Sequence, residues 1–175
     1  RADQLHYDGR KEVMNLIGNV SITKDNRTLT SQAIDYYVPS NTGKYTSNGR
    51  LEDPKNVLTS IVGEYNFNTD NAVFTNNVDL VNSRDNYVIH TNKLLYNTRT
   101  NIAKLVEEAE ITSDENKIIT SNGDYNTATE KANLYVKNGV QPKLFAKDDR
   151  ILEGDSIHYD RHTGEGTAIG NVTVN

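Results

Sequence analysis

The chain has 175 residues, of which 35% are hydrophobic, and it carries a net charge of −5 and no cysteine. This length suffices for one domain with a core, and the mild acidity argues against nucleic acid, which normally selects a basic face. The lack of cysteine excludes thiol catalysis and disulfides, and no stretch of the sequence approaches the apolar length of a membrane-spanning helix.

A unit of roughly 30 residues recurs six times along the chain. Its anchors are tyrosines spaced 29, 29, 31, 29 and 34 residues apart, namely Tyr7, Tyr36, Tyr65, Tyr96, Tyr125 and Tyr159. The residue fifteen positions after each anchor is aliphatic in every copy: Ile22, Leu51, Leu80, Ile111, Val140 and Val174. Because a repeat of this period decides the fold, residues 1–175 are predicted to form a single repeat domain.

Apolar and polar residues alternate within each unit, which is typical of strands with one buried face. The tyrosine and the residue two positions earlier share the inward face of a first strand. Positions nine and fifteen after it share the inward face of a second strand. The further inward residues are Ile34, Leu94 and Ile157 on first strands and Leu16, Tyr45, Phe74, Leu105 and Leu134 on second strands.

Every connection between these strands is short and polar. Asn, Asp and Thr follow most anchor tyrosines, and runs such as Asp53-Pro54-Lys55-Asn56 separate the units. Short connections join antiparallel neighbours, because parallel strands need a crossover. The sequence therefore predicts an all-β antiparallel meander of about twelve strands.

Residues that could carry catalytic or metal chemistry are scarce. His158 and His162 are four positions apart at a predicted strand end, where a strand does not bring them together as a helix would. The acidic run Glu107, Glu108 and Glu110 is typical of a solvated face. We therefore predict no catalytic residue, no metal site and no cofactor.

Three segments resemble a known repeat family. Ala33-Ile34-Asp35-Tyr36, the run from Asp155 to Gly164 followed by Gly170-Asn171-Val172-Thr173-Val174, and Gly18-Asn19-Val20-Ser21-Ile22 are similar to the OstA-like (LptA-like) repeat. The resemblance covers essentially the whole chain, most clearly its first and last repeats. It implies an antiparallel β-jellyroll shaped like an open V, located in the bacterial periplasm, that carries lipopolysaccharide along its apolar inside.

On this resemblance, the twenty inward residues named above form a candidate lipid trough. The implied partner is lipopolysaccharide or a related envelope lipid. The first strand, around Asp3 to Tyr7, and the last, Ala168 to Val174, have little charge or proline to protect them as sheet edges. They therefore predict head-to-tail self-association or pairing with other OstA-like domains.

The same twenty inward residues, which we call the stripe, also fit a structural or adhesive scaffold whose core is closed and which has no cargo. A carbohydrate-active β-solenoid is a further alternative, but it needs paired carboxylates and longer parallel strands. An elongated unfilled cavity along the stripe, or lipid that co-purifies with the protein, would favour the trough over the scaffold.

Overall fold

A computed structural model of the chain describes residues 1–114 and 116–175. These residues form nineteen strands in one sheet, every pairing is antiparallel, and no helix occurs among them. The strands are β1 (Gln4–Asp8), β2 (Val13–Lys24), β3 (Arg27–Tyr37), β4 (Thr42–Tyr45), β5 (Gly49–Glu52), β6 (Val57–Ser60), β7 (Val62–Asn66), β8 (Asn71–Asn82), β9 (Tyr87–Asn97), β10 (Ile102–Leu105), β11 (Ala109–Ser113), β12 (Lys117–Thr120), β13 (Gly123–Asn126), β14 (Lys131–Tyr135), β15 (Lys143–Phe145), β16 (Ile151–Glu153), β17 (Ser156–Asp160), β18 (Glu165–Ile169) and β19 (Thr173–Val174).

The nineteen strands of the described residues make twelve successive passes across the sheet, as the repeat predicts. β1, β2, β3, β8 and β9 each form one pass, and the other passes consist of two strands in line, beginning with β4–β5 and ending with β18–β19. The all-β antiparallel prediction is confirmed, but most passes are broken in the middle. The break is needed because each pass turns from one layer of the jellyroll into the other.

The turning point of each pass is called the bend. In the long strands β2, β3, β8 and β9 it is a β-bulge, between Ile17 and Val20 where β2 pairs with β3, and between Thr75 and Val78 where β8 pairs with β9. Asn19 and Asn77 occupy these bulges with positive φ, a conformation that asparagine tolerates better than most residues.

The bend divides the sheet into two layers. The first layer contains β1, β4, β7, β10, β13, β14, β17 and β18, and the second contains β5, β6, β11, β12, β15, β16 and β19; β2, β3, β8 and β9 contribute half of their length to each. One cluster of buried apolar residues, drawn from both layers, fills the space between them.

A row of alternating tyrosines and small residues crosses the inner face of the first layer. Directly paired positions run Tyr36, Gly43, Tyr65, Ala72, Tyr96, Ala103, Tyr125, Ala132, Tyr159 and Gly166. The rings of Tyr65, Tyr96, Tyr125 and Tyr159 each lie between two positions that hold little side chain, which leaves room for them in a close-packed interior, whereas Tyr36 lies between Gly43 and Met14. This alternation accounts for the tyrosine that recurs from the third repeat to the sixth.

The edge opposite the bend, where the hairpin turns of the two layers meet, is called the mouth. Three second-layer turns contact the first-layer turn five passes further along the sheet. The contacts join Arg27 to Thr98, Asn56 to Thr127 and Asn86 to Arg161. A constant displacement of this kind follows from the twist that accumulates from strand to strand.

Candidate functional site: the apolar interior

The structure brings most residues of the predicted stripe together between the layers. Fourteen of the twenty are buried: Ile34, Tyr45, Leu51, Tyr65, Phe74, Leu80, Leu94, Tyr96, Leu105, Ile111, Tyr125, Leu134, Ile157 and Tyr159. Leu16, Ile22 and Tyr36 are partly buried against the same cluster, and Tyr7, Val140 and Val174 are exposed.

Side chains fill the middle of the interior closely. Phe74 has no exposed surface, and it faces Gly63 and Leu94 on the two neighbouring passes. The Tyr45 ring covers Gly49 and Gly63 so tightly that a β-carbon on Gly63 would lie 2.3 Å from its Cζ atom. The middle therefore has the packing of a core, as the scaffold alternative predicts.

The interior is open at its first passes. Leu5 and Tyr7 on β1 point inward but are 60% and 50% exposed, and Leu16 and Ile22 on β2 are only partly covered. The five-pass displacement at the mouth is the cause, because in the described part of the chain the first-layer turns of these passes have no second-layer turn across from them. Apolar inward surface is thus accessible to solvent at β1 and β2, whereas the surface around Phe74 is buried.

Val140 and Val174 do not occupy the buried positions that the repeat spacing assigns to them. Val140 is 60% exposed because the chain leaves the sheet between β14 and β15 in a tight turn with positive φ at Asn138 and Gly139. This excursion accounts for the long spacing of the fifth repeat, and Leu144 takes the inward position instead, opposite Ile118.

Val174 lies on the short edge strand β19, which pairs with β16, and is 61% exposed. Its exposure follows from the position of β19, whose second side has no neighbouring strand among the described residues.

A buried polar cluster, which we call the latch, closes the middle of the mouth. It consists of Asp53, Asn56, Asn82, Tyr87, Tyr96 and Thr127. The Asn56 side-chain amide donates to the Tyr96 hydroxyl at 3.1 Å and to Thr127 Oγ1 at 3.4 Å, which joins the two layers. Asn82 Nδ2 donates to Asn56 Oδ1 at 3.2 Å.

The Asp53 carboxylate is the charged member of the latch and depends on hydrogen bonds for its stability. It accepts from the backbone N–H groups of Lys55 and Asn56 at 2.9 and 2.8 Å and from the Tyr96 hydroxyl at 2.8 Å. Burial, followed by the nearby Asp53 carboxylate, raises the pKa of Tyr96. The hydroxyl therefore stays protonated and keeps donating.

A buried ion pair extends the closure beyond the latch. Arg161 binds the Glu130 carboxylate, which is almost fully buried, and its guanidinium lies 5.7 Å from the centre of the Tyr87 ring. The nearby Tyr125 hydroxyl is buried and has no hydrogen-bond partner among the described residues. The mouth is thus held by a polar cluster, an ion pair and long side chains that reach backbone carbonyls.

Sequence reasoning missed this closure and part of the second-layer core. The polar composition of the turn Asp53–Asn56 predicts a solvated connection. Asp53 and Asn56 are buried only because the turn lies in the mouth, where the two layers meet. Leu29, Leu58 and Ile89 are buried seven residues before the anchors Tyr36, Tyr65 and Tyr96. The alternation of apolar and polar residues extends to these positions, but they lie outside the stretch of each repeat from two residues before the anchor to fifteen after it.

The two histidines considered for metal binding point to different partners. His158 Nδ1 lies 2.9 Å from the Asn133 side-chain oxygen, and His162 Nε2 lies 3.8 Å from Glu130 Oε1. Within residues 1–114 and 116–175, no group of three or more His, Cys, Asp or Glu side chains is placed to hold a metal ion. In that same part of the chain, no helix has the length and apolar character needed to cross a bilayer.

Comparison with known proteins agrees with this architecture. The sequence profile of the family described as OstA-like protein matches residues 1–87 and 83–148. The chain belongs to the OstA-like family. No curated protein sequence matches this OstA-like chain.

A solved structure has the same fold. It is that of LptH from Pseudomonas aeruginosa, described as the LptA-homologous periplasmic component of the lipopolysaccharide transport device. The match has a TM-score of 0.59 and 13% identity, and it covers 69% of this OstA-like chain and 93% of LptH. The predicted LptA-like β-jellyroll is therefore confirmed.

Proposed function

We propose that this OstA-like chain is a non-enzymatic periplasmic module that binds lipopolysaccharide, or a related envelope lipid, and shields its acyl chains during transport. Family membership and the likeness to LptH support the class of cargo. The observation that carries the proposal is the accessible inward apolar surface at β1 and β2. We take residues 1–175 as one domain, because a single buried cluster extends from Val20 to Tyr159.

In this proposal the acyl chains lie against the inward face of the first passes. Leu5, Tyr7, Leu16 and Ile22 supply the apolar contact, and each buried CH₂ contributes about 0.8 kcal/mol. The sugar head stays in water. Movement of the chains toward Phe74 requires the latch to open, because the middle of the interior is filled.

Photo-crosslinking tests which face the lipid contacts. A benzophenone side chain placed at Leu5 or Leu16 should capture lipopolysaccharide, and the same group at His6 or Asn15 should not. These neighbours lie on the same strands with their side chains on the opposite face. Equal capture from both faces, or none from either, would reject the lipid module.

The edges of the sheet support self-association as part of the proposed function. Among residues 1–114 and 116–175, β1 pairs only with β2, β18 only with β17 and β19 only with β16. Ile169 and Val172 near the last edge are largely exposed. Unpaired strand edges of this kind add strands from a neighbour, so copies or other OstA-like domains would join head to tail.

Sedimentation velocity over a concentration series tests this association. Val172→Pro or Ile169→Lys should shift the protein toward monomer. Val73→Lys places the same charge on an exposed valine in the middle of the sheet and should leave association unchanged. A parent chain that stays monomeric at millimolar concentration would remove head-to-tail assembly but not the lipid module.

A structural or adhesive scaffold is the second candidate, and the filled middle and the latch favour it. Such a scaffold requires no accessible apolar interior. Under this alternative, delipidated protein has the same thermal stability with and without lipopolysaccharide. Under the lipid module, ligand bound to the folded state raises the melting temperature.

A further inference from the structure

The first and last repeats each have an asparagine–aspartate hydrogen bond across the bend, which we call the clasp. Asn19 Nδ2 donates to Asp3 Oδ2 at 2.9 Å, and Asn171 Nδ2 donates to Asp155 Oδ2 at 2.8 Å. The glycine before each asparagine has positive φ, and a β-carbon on Gly18 would lie 2.5 Å from the Asp3 carboxylate. The clasp thus joins the aspartate on one pass to the asparagine on the next pass at the bend of these two repeats.

The second and third repeats lack this clasp. The positions equivalent to Asp3 hold Gln32 and Ile61, while the asparagines are retained as Asn48 and Asn77. In the described part of the chain, the side chains of Gln32, Asn48 and Asn77 have no hydrogen-bond partner. These three exposed amide groups therefore line the bend, with Gln32 and Asn48 on adjacent passes and Asn77 two passes beyond Asn48.

These free amides line a groove of about 620 Å³ on the outside of the bend, which we call the bend groove. Its second wall is a row of directly paired outward residues, Ser21, Thr30, Arg50 and Thr59. The groove crosses five passes, or about 19 Å at the usual strand spacing of about 4.8 Å. It therefore fits an extended ligand that lies across the strands.

The lining of the bend groove indicates the chemistry of that ligand. Amides and hydroxyls both donate and accept hydrogen bonds, and the exposed Ile61 side chain adds a small apolar surface. Arg50 is paired with Glu52 at 3.0 Å, so the groove has no concentrated positive charge for a phosphate-rich polymer. An extended peptide would instead add to an unpaired strand edge, and the strands here are paired on both sides.

We propose that the bend groove is a binding site for a linear glycan, whose hydroxyl groups bond with the free amides of Gln32, Asn48 and Asn77. The site lies outside the apolar interior and does not depend on the lipid proposal. The same chemistry would recognise the sugar part of a glycolipid or a free polysaccharide.

The test uses the whole chain and three probes in NMR titrations of amide shifts. The probes are maltoheptaose, the oligosaccharide released from lipopolysaccharide by mild acid, and intact lipopolysaccharide. The double variant Asn48→Gly/Asn77→Gly removes both amides and keeps the positive φ that these positions require. Asn138→Gly is the matched control, since Asn138 is an exposed asparagine with positive φ outside the groove.

At least one released or neutral oligosaccharide should shift the groove residues, and the double variant should bind it about tenfold more weakly, as expected for two hydrogen bonds. The control should bind like the parent chain. Binding of maltoheptaose, with or without the released oligosaccharide, indicates a free glycan. Binding of the released oligosaccharide and of intact lipopolysaccharide, but not of maltoheptaose, indicates a glycolipid sugar. Lack of binding by both oligosaccharides, or equal binding by parent and double variant, would overturn the proposal.

Discussion

Truncation of Phe74 to alanine measures how completely the interior is filled. Phe74 has no exposed surface and lies opposite Gly63 and Leu94. In a close-packed site the loss of the ring costs the transfer free energy and leaves a cavity, which together amount to about 3–5 kcal/mol. At about 2–4 °C per kcal/mol for a chain of this size, the melting temperature should fall by roughly 6–20 °C.

Urea denaturation followed by far-UV circular dichroism gives the free energy of unfolding. The control is Val73→Ala on the adjacent residue of β8, which points outward and is partly exposed, so its cost should be below about 1 kcal/mol. The slope of the denaturation curve should be unchanged in both variants. A loss below about 1.5 kcal/mol for Phe74→Ala would refute the filled middle and restore a continuous open trough.

Three further perturbations address the latch, the packing of Tyr45 and the buried tyrosines. Asn56→Ala should destabilise the fold by about 2–4 kcal/mol in urea denaturation, since it leaves several buried polar groups unpaired; a loss below 1 kcal/mol would mean that the mouth is not held there. Gly63→Ala should cost about 1–3 kcal/mol because its new methyl group meets the Tyr45 ring, and the double variant with Tyr45→Ala should lose less than the sum of the two. Burial raises the pKa of Tyr45 and Tyr65 to about 12, above the value near 10 of the unfolded chain. Their contribution to stability is complete below pH 10 and falls as the pH rises toward 12, so absorbance at 295 nm should report their ionisation together with loss of the β-sheet signal. Complete ionisation of all ten tyrosines before that loss would contradict the burial.

The repeat in the sequence predicts the number of passes and the face of most inward residues, because strand alternation and turn composition are local properties. It fails at Val140 because an insertion shifts the register, which a fixed count from Tyr125 cannot detect. It also fails at Asp53 and Asn56, which belong to a polar turn in every local respect. Their burial depends on the meeting of two turns 71 residues apart, and only the twist of the whole sheet determines that meeting.

The five-pass displacement between the two layers gives this molecule staggered ends. On the mouth side, the first layer extends past the second at the β1 end, and the second extends past the first at the β19 end. If a neighbour of the same fold joined this chain end to end, the protruding first layer of one copy would lie across from the protruding second layer of the other. Turn contacts as well as strand pairing would then hold the two copies together, and the junction would resist bending better than one between two level ends that meet only at their edge strands.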